Sequence, residues 1–246
     1  MQRSQVTTLE SFQRVTVGLG SFVAIQGQAD LDRTAQVRAL DAACDALRTV
    51  ETAMHPTTAG SDLARIAAAP GGTLLPIHPW TFAVLALSQR LWKMSEGHFD
   101  PCIPSSPASV GDLQLVAPAS VRTAQVPALL DLGGIAKGFA IDRAVDALIE
   151  HGCSAGLVNA GGDLRAFGPL TNCALAVSAP KSARSPPEHR GFYSRVAGAE
   201  LAGRLVGVSA PTAAAADALT KCALACPPAV LRRLLEEFSA SELTLD

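Results

Sequence analysis

Two hydrophobic periods alternate along the chain. Over residues 35–54, Val37, Leu40, Cys44, Leu47 and Met54 return at helical spacing, with Arg38, Asp41, Asp45, Arg48 and Glu51 elsewhere. This spacing predicts an amphipathic helix. Residues 79–97 predict a second helix, with Val84, Leu87 and Leu91 on one side, Phe82, Leu85 and Trp92 on another, and Gly97 as its stop. Being apolar nearly all round, it is expected to lie centrally. Ile141, Ala144, Val145 and Leu148 mark a third helix from Ile135 to a stop at His151-Gly152, and Thr212 is placed to cap an alanine-rich fourth over 213–225.

The strand signals are shorter. Val15, Val17 and Leu19 alternate before Gly18-Leu19-Gly20-Ser21 and the apolar run from Phe22 to Ile25, which predicts an early hairpin or bulged strand over 14–26. Residues 155–159 and 205–209 predict buried strands, and Ala160-Gly161-Gly162-Asp163 predicts a turn into Leu164-Arg165-Ala166-Phe167. Residues 101–125, rich in Pro, Ser and Ala, predict loops around a hairpin that includes 113–116, and residues 178–190 a surface loop. Residues 126–132 form a largely apolar run that Pro127 interrupts only near its start, so a strand is expected to enter the third helix through Gly133-Gly134.

That junction concentrates candidate chemistry. Glycines without a Cβ let a ligand approach the backbone, the free N–H groups of a helix start receive phosphate oxygens, and Lys137 adds a point charge. The spacing matches neither a dinucleotide-binding G-x-G-x-x-G nor a P-loop, and a tight turn requiring small residues for packing explains the glycines equally well. In the fourth helix, Asp217, Thr220 and Lys221 stand at i, i+3 and i+4 and share one side. From spacing alone this is either a helical ion pair, contributing a few tenths of a kcal/mol, or part of a site.

Composition narrows the classes. The chain has 246 residues, 48% hydrophobic but only 4% aromatic, so a large core is expected from Ala, Leu and Val. Nothing in composition splits it in two; a tail over 1–13 and one domain over 14–246 are expected. Twenty basic against 22 acidic residues, with no Lys/Arg run, disfavour nucleic-acid binding. No secretory leader and no apolar run of about 18 residues is evident, which predicts a cytoplasmic protein without a membrane span. Six dispersed cysteines without a C-x-x-C pair predict reduced thiols; Cys222 and Cys226 share a helix face but are better read as small buried residues than as zinc ligands.

The runs LDLGGIAKGFAIDRAVDAL (130–148) and LVNAGGDLRAFG (157–168) resemble the signature of the FAD:protein FMN transferase (ApbE-type flavin transferase) family, and the likeness extends over about residues 14–226. The resemblance implies an α+β fold, with mixed or antiparallel strands and packed helices. It also implies magnesium-dependent attack of a threonine hydroxyl of an acceptor flavoprotein on the FMN-side phosphorus of FAD, releasing AMP. By the same resemblance, Asp217 and Thr220 are expected to hold Mg²⁺ with the Gly134 carbonyl, Lys137 to meet phosphate, and Asp131 to hydrogen-bond the adenosine or order the turn. Gly20 would stand beside the flavin, where the family carries Met-Gly-Thr. Ser61-Asp62 and the corner His98-Phe99-Asp100-Pro101 would line the FAD site, with Thr57 near the place of an expected aromatic.

The chain also departs from that pattern, as a short variant. Lys221 stands where the family has a metal-binding threonine, so as a catalytic group it is expected either to point away from the metal or to bind phosphate itself. The segment 193–203 is shorter than in the family and lacks a His and an Asp-Pro, leaving His189 or Tyr193 as candidates for nucleophile activation. The alternatives are an FAD pyrophosphatase and a non-catalytic flavin-binding protein on the same fold.

Overall fold

A computed structural model of the chain describes residues 10–169, 171–179 and 205–243. His189, Tyr193, the segment 193–203 and most of the loop expected at 178–190 lie outside the described residues. The order is β1 (Glu10–Gly18), β2 (Ser21–Ala29), α1 (Arg33–Ala53), α2 (Asp62–Ala68), β3 (Leu74–Pro76), α3 (Pro79–Met94), β4 (Gln114–Val116), β5 (Ser120–Arg122), α4 (Ala136–Glu150), β6 (Ala155–Ala160), β7 (Asp163–Gly168), β8 (Thr171–Ser178), β9 (Val206–Ala210), α5 (Ala213–Ala225), α6 (Pro228–Glu237) and β10 (Ser241–Leu243). The fold is α+β, and every strand pairing among the described residues is antiparallel.

The main sheet has seven strands in the order β1-β2-β6-β7-β8-β9-β10, and a small sheet runs β3-β5-β4. Helices α1, α4 and α5 lie side by side, with α4 and α5 packed on the main sheet through β6 to β9. Their buried faces supply Leu40, Leu47, Ile141, Val145, Leu148 and Leu219 to the core. The first predicted helix, bounded by an Asp32 cap, and the fourth, capped by the Thr212 side chain on Ala215 N–H, form as their periodicity and caps dictate. Strand β1 begins at Glu10, inside the tail expected over 1–13. No helix among the described residues is long and apolar enough to cross a membrane.

The strand expected over 126–132 does not form. Pro127 lacks an N–H, and the chain meets its neighbour only through the Cys102↔Leu130 bridge, flanked by Ile103 N–H to the Leu129 carbonyl and Asp131 N–H to the Pro101 carbonyl. The apolar side chains of Leu130 and Leu132 still enter the core. This arrangement sets the His98–Pro101 corner directly against the turn that opens α4.

Two glycine-containing turns meet at one end of the main sheet. Leu19 and Gly20 both have positive φ (54° and 70°), as a two-residue hairpin turn matching the strand twist requires, and Gly161 and Gly162 repeat this between β6 and β7. A Cβ on Gly161 would press on the Ser21 hydroxyl, so the two turns touch. Asp163, the first residue of β7, lies at this end, beside the last residues of β8.

Candidate functional site

Helix α5 is buried almost all round: ten of its thirteen residues are inaccessible small or apolar groups or the polar trio Asp217, Thr220 and Lys221, with Ala225 also buried near its end. Polar groups placed there must satisfy one another or a neighbour. Asp217 is 0% exposed, and both carboxylate oxygens are used: Oδ1 accepts from Lys221 Nζ at 2.7 Å, and Oδ2 accepts the Gly138 N–H of α4 at 3.1 Å. Lys221 Nζ also donates to Ser178 Oγ at 2.6 Å and Thr220 Oγ1 at 2.9 Å, and lies 3.2 Å from the Asp217 carbonyl. Thr220 Oγ1 in turn donates to that carbonyl at 2.7 Å, which leaves the Ser178 hydroxyl to donate to Thr220 at 2.7 Å. Every polar hydrogen of the trio is thereby engaged.

The seam between α4 and α5 holds this trio in place. A Cβ on Gly138 would overlap the Ala213 carbonyl and the Ala214 nitrogen, so the glycine is what allows the helices to approach. One turn further along α4, the buried Asp142 carboxylate caps the start of α5 from outside, accepting Ala213 N–H through Oδ1 and Ala214 N–H through Oδ2, each at 2.9 Å. Arg165 of β7 donates to Asp142 Oδ1 at 3.0 Å. Burial pushes the Asp142 carboxyl above its ordinary range, against the opposing pull of the two N–H donors and Arg165. Asp217, four residues into α5, is thus carried to Gly138.

Lys137 completes the cluster. Its Nζ pairs with Asp163 Oδ2 at 2.8 Å, while Asp163 Oδ1 accepts the Val177 N–H at 3.1 Å. The Lys137 side chain remains 29% exposed although Asp163 is buried. Burial, the largest single influence on Lys137, lowers its pKa, but the charges of Asp217 and Asp163 outweigh it and hold the ammonium above the ordinary lysine range. Burial and the Asp217 charge raise the Asp163 carboxyl despite Lys137 and Lys221. Two carboxylates and two ammonium groups therefore balance beneath the opening of α4, where Ile135 provides no side-chain cap. At this opening the Ala136 N–H is held by the Leu132 carbonyl and the Gly138 N–H by Asp217, so the partly exposed lysine is the group that suits an anion.

The other expected residues divide. In the turn before α4, Asp131 Oδ1 accepts the Gly133 N–H at 2.8 Å, so Asp131 orders the turn, and Gly134 sits within it. In the adjoining corner, Phe99 is a core side chain 1% exposed, and the buried Asp100 carboxylate accepts the Cys102 and Val110 N–H groups. His98 Nδ1 is buried without a hydrogen-bond partner and is the unused polar atom of that corner. Gly20 reaches the same end of the sheet through the Ser21 and Gly161 contact.

Ser61 and Asp62 lie at the N-terminal end of α3, whereas His98 follows its other end, about 24 Å along the helix for sixteen residues. Their polar atoms serve the fold: Ser61 Oγ caps α2 at Ala64 N–H and donates to the His55 carbonyl, and Asp62 accepts from Arg65, His78 N–H and Thr81. An edge contact of Trp80 with Phe139, ring centroids 6.4 Å apart, links that end of α3 to α4.

The magnesium ion expected at Gly134, Asp217 and Thr220 does not fit the residues as they stand. The oxygens of Asp217 and Thr220 do converge on one point, but that point is Lys221 Nζ, at distances suited to ammonium hydrogen bonds rather than to the 2.0–2.1 Å of magnesium coordination. A divalent ion about 4 Å from that ammonium would be repelled by roughly 8 kcal/mol at an effective dielectric of ~20. Among the described residues no group of three or more His, Cys, Asp or Glu is arranged to hold a metal.

Sequence reasoning assigned no role to Asp163, Ser178, Asp142 or Arg165. Asp163 carried a local signal, being the acid that closes a Gly-Gly turn; the other three become partners only through sheet order and helix packing. No disulfide joins the six cysteines, and Cys222 is pushed well above the usual thiol range first by its hydrogen bond with Cys226 and then by burial.

Comparison with known proteins places this geometry. The pattern that defines the ApbE family matches residues 19–202. A 52-residue stretch is 46% identical to the FAD:protein FMN transferase of Treponema pallidum (strain Nichols), covering 21% of this chain and only 14% of that relative's length. Among solved structures, the chain is similar to the apo form of the Pseudomonas stutzeri flavinyl transferase ApbE, with a TM-score of 0.75 at 20% identity over 98% of this chain and 93% of that one. The Vibrio cholerae flavin transferase ApbE gives 0.76 at 17% identity over 96% and 93%. At such identities these two likenesses speak to fold.

Proposed function

The chain belongs to the ApbE family, and on that premise we propose that it transfers FMN from FAD to a threonine hydroxyl of an acceptor protein and releases AMP. The observation that carries the reading is Lys137: a partly exposed ammonium anchored by a buried carboxylate at the opening of a fifteen-residue helix. The FAD diphosphate would lie there, against the Gly133-Gly134 turn, with His98 at its margin. Asp217 and Lys221 act from behind: they are buried, and they fix the charge balance and the seat of Gly138.

In the proposed reaction the hydroxyl oxygen bonds to the FMN-side phosphorus, the bond from that phosphorus to the bridging oxygen breaks, and AMP leaves with the electron pair as the hydroxyl proton is released. Negative charge grows on the departing phosphate. Lys137 is placed to offset it where it develops, which is how a positioned donor accelerates such a step. No step is assigned to magnesium.

The test is to incubate the protein with FAD, with and without acceptor proteins, and to follow AMP by chromatography and the acceptor by mass spectrometry. Transfer gives AMP only with acceptor, in step with an FMN adduct on threonine. AMP without acceptor identifies a pyrophosphatase, and FAD retained intact under every condition identifies a flavin-binding protein.

A further inference from the structure

We propose that the ε-ammonium of Lys221 is a built-in cation standing in for a divalent ion at the Asp217 carboxylate, so that the chain does not bind magnesium there and, if the flavin-transfer reading holds, handles the FAD diphosphate without it. Three donors of one ammonium meet three acceptors, Ser178 Oγ, Asp217 Oδ1 and Thr220 Oγ1, at 2.6–2.9 Å. Two of these are oxygens that a hard cation would use, and both are engaged. Magnesium would need six oxygens in near-octahedral order, several of them waters, around a carboxylate that is 0% exposed.

The charge count agrees. Asp163 and Asp217 are matched by Lys137 and Lys221, so the cluster is neutral as it stands. A bound divalent ion would leave two uncompensated positive charges in a buried space, whereas a neutral residue in place of Lys221 would leave one negative charge and an opening for the ion. Lys221 also lies one helical turn after its carboxylate, so it is always present at its site.

The experiment is a magnesium titration by calorimetry, with thermal melts in MgCl₂ and in EDTA, on the full chain and on Lys221→Thr and Lys221→Met. The wild-type protein should show no saturable magnesium heat and the same melting temperature in both solutions. Lys221→Thr should melt lower in EDTA and regain roughly 5–10 °C at magnesium about a hundredfold above its dissociation constant. Lys221→Met, which offers no oxygen, should melt lower and regain nothing. Saturable magnesium binding to the wild type, or no magnesium response in a folded Lys221→Thr, overturns the proposal; where Lys221→Thr does not fold, the wild-type titration alone decides. FAD binding in EDTA is measured separately by flavin fluorescence, so that loss of flavin without any magnesium response counts against the functional reading and not against the cation.

Discussion

Asp142→Ala tests the seam on which the site depends. In the native protein this carboxylate holds two backbone N–H groups of α5 at 2.9 Å and the Arg165 guanidinium at 3.0 Å; in the variant the two N–H groups lose their partner and Arg165 keeps only Asp146, at 3.8 Å. Hydrogen bonds to a charged group contribute about 1.5–3 kcal/mol each, but a simple sum overstates the loss, because burial already raises the Asp142 carboxyl against the pull of those donors. The better guide is the cost of breaking a buried pair from one side, about 3–5 kcal/mol, since Arg165 is left only 13% exposed. For a chain of this length that corresponds to a fall in melting temperature of roughly 6–20 °C. Urea unfolding at neutral pH measures the free energy. A cycle with Arg165→Met adds the coupling: the double variant should lose less than the sum of the two single variants. Because Gly138 and Asp217 lie one turn on either side of this clamp, FAD affinity should also fall at temperatures well below the melt. A loss under about 1 kcal/mol, or strictly additive single variants, would refute the role given to Asp142.

Gly138→Ala places a methyl group into the Ala213 carbonyl and should cost at least about 1–3 kcal/mol by calorimetry, with weaker FAD binding; a melt unchanged from wild type would contradict the close approach of α4 and α5. Lys137→Met removes a group whose folded pKa is raised. Its contribution is therefore complete below the ordinary value of 10.5 and lost as pH rises through the folded value, so wild type should shed stability in an alkaline step that the variant lacks. At neutral pH the variant should be less stable by about 2–3 kcal/mol, the low end for a broken pair with one partly exposed partner, and should bind FAD weakly. His98→Ala should weaken FAD binding while leaving the melt unchanged or slightly raised, because it removes a buried nitrogen with no partner; a large destabilisation would instead make His98 structural.

Local physics made much of this readable beforehand. The Thr212 cap, the one-sided Asp217, Thr220 and Lys221, and the Leu19-Gly20 turn depend on spacings of a few residues, and each appears where its chemistry requires. The partners of those residues do not follow from spacing. Asp142 reaches α5 across 71 residues of chain, and Gly138 reaches Asp217 across 79; only packing of α4 on α5 creates either bond. Asp163 meets Lys137 because the order β2-β6-β7-β8 brings its turn beneath α4. The strand expected over 126–132 failed for a related reason: apolar runs show burial but not whether a neighbouring strand is available to pair. The cap that Ser61 makes on α2 is local, whereas the bonds of Asp62 to His78 and Thr81 depend on the packing of α2 against α3.

The most direct test of the account is a crystal structure of the protein with FAD, prepared in EDTA. The account predicts the diphosphate at the opening of α4, with phosphate oxygens on Lys137, while Lys221 remains on Asp217 and Ser178. A diphosphate seated away from Lys137, or FAD that enters only when magnesium displaces Lys221 from Asp217, would contradict it.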